Sequence, residues 1–202
     1  MTDRIDLLLI CDLVEPDTRV LDIGCGQGDL LALLKQQKNI DGRGLEISQS
    51  GVNACVARGL SVVQGDADRD LAHYPDRGFD YAILSQTLQA TQRPDEVLRE
   101  LARIGKKLIV SFPNFGHWRV RLDLLCGGRM PETKTLSAKW YNTPNIHLCT
   151  LMDFVSLCDE LGLKIEKCTA LSRGQARQLR GAPGNWQNLI AEQAVFLLSS
   201  EK

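Results

Sequence analysis

The stretch Val20-Leu21-Asp22-Ile23-Gly24-Cys25-Gly26-Gln27-Gly28-Asp29 constrains this chain more than any other segment. It reads as a short buried strand, then three glycines at alternate positions, then a leucine-rich helix. Glycine lets a backbone turn sharply and lets a ligand approach the main chain closely. Free N–H groups at a helix start favour electron-rich ligand atoms. A dinucleotide loop that cradles phosphate spaces its glycines Gly-x-Gly-x-x-Gly. Here the spacing is Gly-x-Gly-x-Gly, and an acid, Asp22, ends the strand. Alone, the segment fits a strand-to-helix turn of any α/β protein.

The next strand ends narrow the choice. Gly44-Leu45-Glu46-Ile47 closes a second predicted strand. Its acid follows Asp22 at the separation of about 20 residues that suits a nucleoside ribose, because a carboxylate accepts both hydroxyl protons. Gln64-Gly65-Asp66-Ala67 closes a third, and Phe79 to Gln86 is a fourth running to the same rim, with Ser85 and Gln86 at its exit.

Length and composition fit one α/β domain over residues 1–202, with 44% hydrophobic and 24% charged residues. A net charge of −1 gives no general attraction to nucleic acid or anionic membrane. The early apolar run Leu7 to Cys11 is too short to span a bilayer. The charges Asp3, Arg4, Asp6 and Asp12 around it do not resemble a signal peptide. Seven cysteines without a Cys-x-x-Cys pair read as reduced, mostly buried thiols of a cytoplasmic protein. Cys25 stands apart, since a helix start can lower its pKa. The three histidines, His73, His117 and His147, are far apart, and no metal motif is visible.

Helix and strand alternate along the chain, which implies a mainly parallel sheet with helices on both faces. Helices are predicted over 4–14, 28–38, 48–59 with Ser48 as N-cap, and 94–104 with Pro94 at N1. Strands are predicted over 19–23, 43–47, 61–64, 79–84 and 107–112. Residues 115–126 read as a helix with Trp118, Leu122 and Leu125 at helical spacing. Residues 129–149 have no clear period. Thr150-Leu151-Met152-Asp153 is a capping box opening a helix to Leu161. Residues 163–168 alternate like a strand, 173–185 read as an Arg- and Gly-rich loop, and 194–198 as a last buried strand. That makes seven strands, the last two a hairpin.

The glycine spacing with its strand-end acids resembles motif I and the following motifs of class I S-adenosylmethionine (SAM) dependent methyltransferases. The resemblance implies a Rossmann-like α/β fold, a seven-stranded mainly parallel sheet with an antiparallel last strand. It also implies SAM or S-adenosylhomocysteine as ligand, held by Asp22, Gly24, Cys25, Gly26, Gly28, Glu46, Ile47, Asp66, Ala67, Ser85 and Gln86. Asp22 holds the ammonium through the loop, and Asp66 accepts from the adenine amino group. Four further segments resemble the bacterial MetW family: Ser85-Gln86-Thr87-Leu88-Gln89, Pro113-Asn114-Phe115-Gly116-His117-Trp118, Trp140 to His147 and Asn185-Trp186-Gln187-Asn188-Leu189. That resemblance runs from residue 4 to about 199 and implies a homoserine O-acyltransferase of MetX type as partner.

Methyl transfer needs a nucleophile about 3 Å from the methyl carbon and often a base. His117, His147, Tyr141 and Asp80 are the bases on offer, and none belongs to a motif that compels a role. The fourth-strand exit, Ser85-Gln86-Thr87-Leu88, is not the Asn/Asp-Pro-Pro-Tyr type used on exocyclic amines of bases. Two functions stay open: a non-catalytic SAM-binding subunit supporting the acyltransferase, and an active methyltransferase on a small molecule. For the first, docking is expected on residues 115–145 and 173–188, with Trp118, Trp140, Trp186 and Arg177 as anchors, since Trp and Arg dominate interface hot spots.

Overall fold

Both faces of the first strand are buried, and this sets the layering. In β1 (Arg19–Ile23) every residue after Arg19 is inaccessible. Val20 packs with one cluster and Leu21 and Ile23 with another, so the strand divides two helical layers. The chain is seen here as a computed structural model that describes residues 4–133 and 135–200. Asp3, one of the charges around the first apolar run, lies outside them.

The remaining elements are α1 (Ile5–Leu13), α2 (Asp29–Lys38), β2 (Asp41–Glu46), α3 (Gln49–Ala57), β3 (Ser61–Gln64), α4 (Ala67–Asp70) and β4 (Phe79–Ser85). They continue with α5 (Pro94–Ile104), β5 (Gly105–Pro113), α6 (Trp118–Gly127) and α7 (Leu151–Glu160). The last are β6 (Leu163–Ser172), β7 (Gln175–Leu179), α8 (Asn185–Ile190) and β8 (Gln193–Ser200). Among the described residues eight strands form one sheet in the order β3-β2-β1-β4-β5-β8-β6-β7. The first five are parallel, whereas β8 runs antiparallel between β5 and β6. Helices α1, α2 and α3 cover one face through Leu7, Ile10, Leu31, Leu34 and Cys55. Helices α5 and α7 cover the other through Leu98, Leu101 and Phe154, where the rings of Phe112, Phe154 and Phe196 stack.

The α/β class and the antiparallel last strand agree with the sequence reading, and the capping box at Thr150 and Asp153 and the Ser48 N-cap are both formed. Two expectations are corrected. The stretch expected as a loop over 173–185 contains β7, so the sheet has eight strands, and the hairpin is β6–β7 rather than the last two strands. Its turn is Arg173-Gly174, both at positive φ, the two-residue turn whose twist matches a hairpin. β7 lies at the sheet edge with four of five residues exposed, so it carries no apolar alternation to read. The helix expected over 115–126 is formed as α6, with Leu122 and Leu125 exposed and Val120 its one buried residue.

Five cysteines are buried, Cys149 is partly buried and Cys126 is exposed, so the mostly buried reading holds with α6 as its exception. A thiol reagent on the native protein should therefore find one fast site, lost in Cys126→Ser, and denaturation should recover all seven thiols.

Candidate functional site

The site is built at the carboxyl edge of β1, β2 and β4. Gly24, Gly26 and Gly28 all have positive φ, so the loop turns through conformations that side chains resist. The three glycines differ in what surrounds them. A Cβ on Gly24 would lie 2.5 Å from Thr87, and one on Gly28 would lie 2.4 Å from Leu60. Those two are packing positions. A Cβ on Gly26 meets nothing within 4 Å, so its main chain faces open space.

Glu46 ties the loop to the next unit. Its Oε2 accepts from Gly26 N at 2.7 Å and its Oε1 from Ser48 N at 2.9 Å. The residue is 8% exposed. Each oxygen retains a second lone pair, so the carboxylate can accept further hydroxyl protons. Main-chain bonds from Gly24 and Cys25 to Leu45 O, at 2.8 and 3.3 Å, hold the loop against β2.

Asp22 is 2% exposed, and its Oδ1 has no partner among the described residues. Burial raises its pKa to about 7, with Arg4 opposing the shift and Glu46 adding to it. A buried carboxyl with a free oxygen is a place for a ligand cation. Arg4 crosses the same edge, donating to Asp6 Oδ2 at 2.6 Å and Ser85 Oγ at 3.3 Å. Gln86, itself at positive φ, donates to Asp6 Oδ2 at 3.4 Å and Gln193 Oε1 at 2.9 Å. Sequence reasoning assigned Arg4 and Asp6 no site role, because nothing local marks a helix start as the cover of a distant edge.

Asp66 ends β3 as N-cap of α4, its Oδ1 accepting from Asp68 N at 3.0 Å, and Ala67 opens that short helix. Ile47 lies exposed just beyond β2. Two expectations change here. The Cys25 thiol is pushed up by burial, and then by Asp22, so the helix start does not activate it. Asp80 lies at the amino end of β4, where it binds Lys106 Nζ at 2.8 Å and Arg19 N at 2.9 Å. Those partners hold its carboxyl below the usual range, and its position at the opposite rim removes it from the bases on offer.

The four later segments meet in one buried knot. Asn114 Nδ2 donates to Asn188 O at 2.7 Å and Ala191 O at 2.8 Å, and its Oδ1 accepts from Gly116 N and Leu151 N. Gln89 Nε2 donates to Pro113 O at 3.0 Å, while Gln89 O accepts from Ile146 N and His147 N. His147 Nε2 lies 3.1 Å from Gln92 O, so its ring organises the loop. Tyr141, Trp140 and Trp186 are exposed, at 64%, 72% and 64%.

Asp22 yields a stability prediction. A folded pKa raised above 3.8 means the unfolded state gives up this proton first, so the term favours folding below about pH 4. It is lost as pH rises through about 7 and is flat above that. Asp22→Asn should remove that dependence and melt above wild type at pH 8, by roughly 1–3 kcal/mol. Chemical denaturation of both proteins from pH 4 to 8 checks it.

Similarity to known proteins agrees with this geometry. The family described as methionine biosynthesis protein MetW matches residues 4–198. The bifunctional methionine biosynthesis protein MetXA/MetW of Rhodopirellula baltica is 32% identical over 100% of this chain and 33% of its own length. Ajmaline N-methyltransferase of Rauvolfia serpentina is 25% identical over 76% of this chain and 55% of its own. The chain thus spans a third to about half of these relatives. A SAM-dependent methyltransferase structure from Thermotoga maritima superposes with TM-score 0.70 at 19% identity, covering 98% of this chain and 88% of that one. One from Archaeoglobus fulgidus gives 0.68 at 16% identity, covering 98% and 95%. The fold is that of SAM-dependent methyltransferases, and the chain belongs to the MetW family of methionine biosynthesis.

Proposed function

We propose that the chain is one methyltransferase-like domain of the cytoplasm that binds SAM or S-adenosylhomocysteine and supports a homoserine O-acyltransferase. The partner half rests on one observation: the Rhodopirellula baltica relative carries MetXA and MetW in a single chain. The ligand half rests on the free Oδ1 of Asp22 beside the open face of Gly26. In this reading Asp22 takes the ligand ammonium, the spare lone pairs of Glu46 take the ribose hydroxyls, and Asp66 takes the adenine amino group. Gly24, Cys25, Gly26, Gly28, Ile47, Ala67, Ser85 and Gln86 line the cleft.

The docking surface is the exposed apolar set on the irregular segments: Leu125 of α6, Trp140 with Tyr141 edge-on at 5.7 Å, and Trp186 of α8. Such rings give hot-spot area at low entropic cost. Arg177 is exposed on the edge strand β7. Trp118 is half-buried next to His117 and serves less well as an anchor.

Two experiments test the halves separately. Titration calorimetry should detect SAM or S-adenosylhomocysteine, and Glu46→Ala should weaken it by about 1.5–3 kcal/mol. Gly26→Val should weaken it too, since a side chain there enters the open face. A bound ammonium favours the Asp22 carboxylate, so affinity should rise with pH up to about 7 and level off. No heat from wild type with either ligand at millimolar concentration overturns the ligand half.

For the partner half, acyltransferase activity is assayed with and without this chain across SAM concentrations. Trp140→Ala and Trp186→Ala should fold normally and lose the effect. If SAM alters partner affinity, the partner must alter SAM affinity by the same factor. An acyltransferase indifferent to this chain at every SAM level overturns the partner half and moves the active-methyltransferase reading ahead.

A further inference from the structure

A second cavity opens beyond β5 on the same edge, with a volume of about 850 Å³. None of Asp22, Gly26, Glu46 or Asp66 lines it. It lies between the amino end of α6 and the Arg173-Gly174 turn of the β6–β7 hairpin, with Asn114 and Glu192 at its base.

His117 is its buried polar group, 6% exposed. The ring's Nδ1 accepts from Arg119 N at 3.3 Å, capping α6. Nδ1 is therefore the acceptor, and the proton of the neutral ring sits on Nε2. Among the described residues nothing accepts from Nε2. Burial, with Arg119 and Arg173 adding to it against Glu192, holds the ring's pKa below its usual value. The cavity thus receives a neutral N–H donor beside two guanidinium groups and the positive end of a ten-residue helix.

The other lining charges are acids. Asp123 is one turn further along α6 than Arg119, Glu132 comes from the loop that follows, and Glu192 Oε2 accepts from Arg173 N at 3.2 Å. Neither Arg119, Arg173, Asp123 nor Glu132 has an ion-pair partner within 4.0 Å among the described residues. Among the described residues two cations and three acids line the cavity, so a bare anion or a bare cation meets repulsion as well as attraction. A molecule carrying both charges satisfies both sets.

We propose that this cavity is a binding site for a zwitterionic α-amino acid. Its carboxylate is held by His117 Nε2–H, Arg119 and Arg173, and its ammonium by Asp123 and Glu132. The site is separate from the glycine-loop cleft, so it stands whether or not SAM binds there.

L-Methionine is the probe, titrated into the full chain in the presence of excess S-adenosylhomocysteine, with the Trp118 indole N–H followed by NMR. Saturable shifts at Trp118 and none at Trp140 or Trp186 are expected. L-Methionine methyl ester lacks the carboxylate charge, and N-acetyl-L-methionine lacks the ammonium. Each should bind at least about tenfold more weakly. His117→Asn keeps a capping acceptor but loses the Nε2 donor, and Arg173→Gln removes one guanidinium. Each should weaken binding about tenfold while leaving the melting temperature unchanged. No Trp118 shift at about ten millimolar amino acid overturns the proposal. So does equal binding of the ester and N-acetyl forms, or unaltered affinity in both variants. Shifts that appear only when S-adenosylhomocysteine is left out also overturn it, by assigning the amino acid to the glycine-loop cleft.

Discussion

The side-chain amide of Asn114 is the junction on which the distal half of the molecule depends. It sits just past β5, buried, and its two donors and two acceptor sites are all spent on main-chain groups, of Gly116, Leu151, Asn188 and Ala191. The described residues of 128–150 hold no helix or strand, so their backbone groups are not satisfied by a ladder. The main-chain carbonyl of Gln89 accepts from Ile146 N and His147 N of that stretch, and Asn114 joins the start of α7 to the end of α8. Buried amides of this kind contribute little net energy each, but a missing partner strands several groups at once. The buried residues of these segments, Gln89, Asn114 and Asn188, thus form a scaffold.

The proximal half turns on a different balance. Glu46 is buried as an acceptor for two main-chain N–H groups, which compensates its desolvation. Asp22, close by, keeps one oxygen without such compensation, and the resulting rise in pKa reflects it. Two neighbouring acids in one environment thus divide into a satisfied one that shapes the loop and an unsatisfied one available to a cation. An apolar residue at position 22 would remove that cost, so the acid at this strand end does not aid stability.

The parts legible in the sequence were those with local physical signatures. Strand ends followed by glycine or acid, the Ser48 cap and the Thr150 box were all recoverable, because each rests on residues within one turn of one another. β7 was not, since an edge strand with both faces in solvent leaves no apolar period, although Arg173-Gly174 carried the turn signal. The helix over α6 was legible from the spacing of Trp118, Leu122 and Leu125, but helical spacing shows that a stripe exists and not what it faces, and Leu122 and Leu125 are exposed. Asp80 misled for a related reason: the residue type was right for a base, but only sheet register reveals which rim it occupies. The Arg4–Ser85 contact joins residues from opposite ends of the parallel half, beyond any spacing argument.

The two edges of the molecule share residues rather than merely lying side by side. Gln86, at the exit of β4, donates to Gln193, and Gln193 follows Glu192 in the chain. Glu192 accepts from Asn114 N at 2.8 Å through its carbonyl and donates to Leu171 O at 2.8 Å. A change at the glycine-loop cleft that moves Gln86 must therefore either stretch its bond to Gln193 or move the base of the neighbouring cavity. Close packing favours discrete rearrangement over gradual strain. Gln86 holds a positive φ, its backbone N–H donates to Ser111 O at 2.8 Å, and its side-chain Nε2 donates to both Asp6 and Gln193. That amide thereby joins the start of α1 to the start of β8 at the exit of β4.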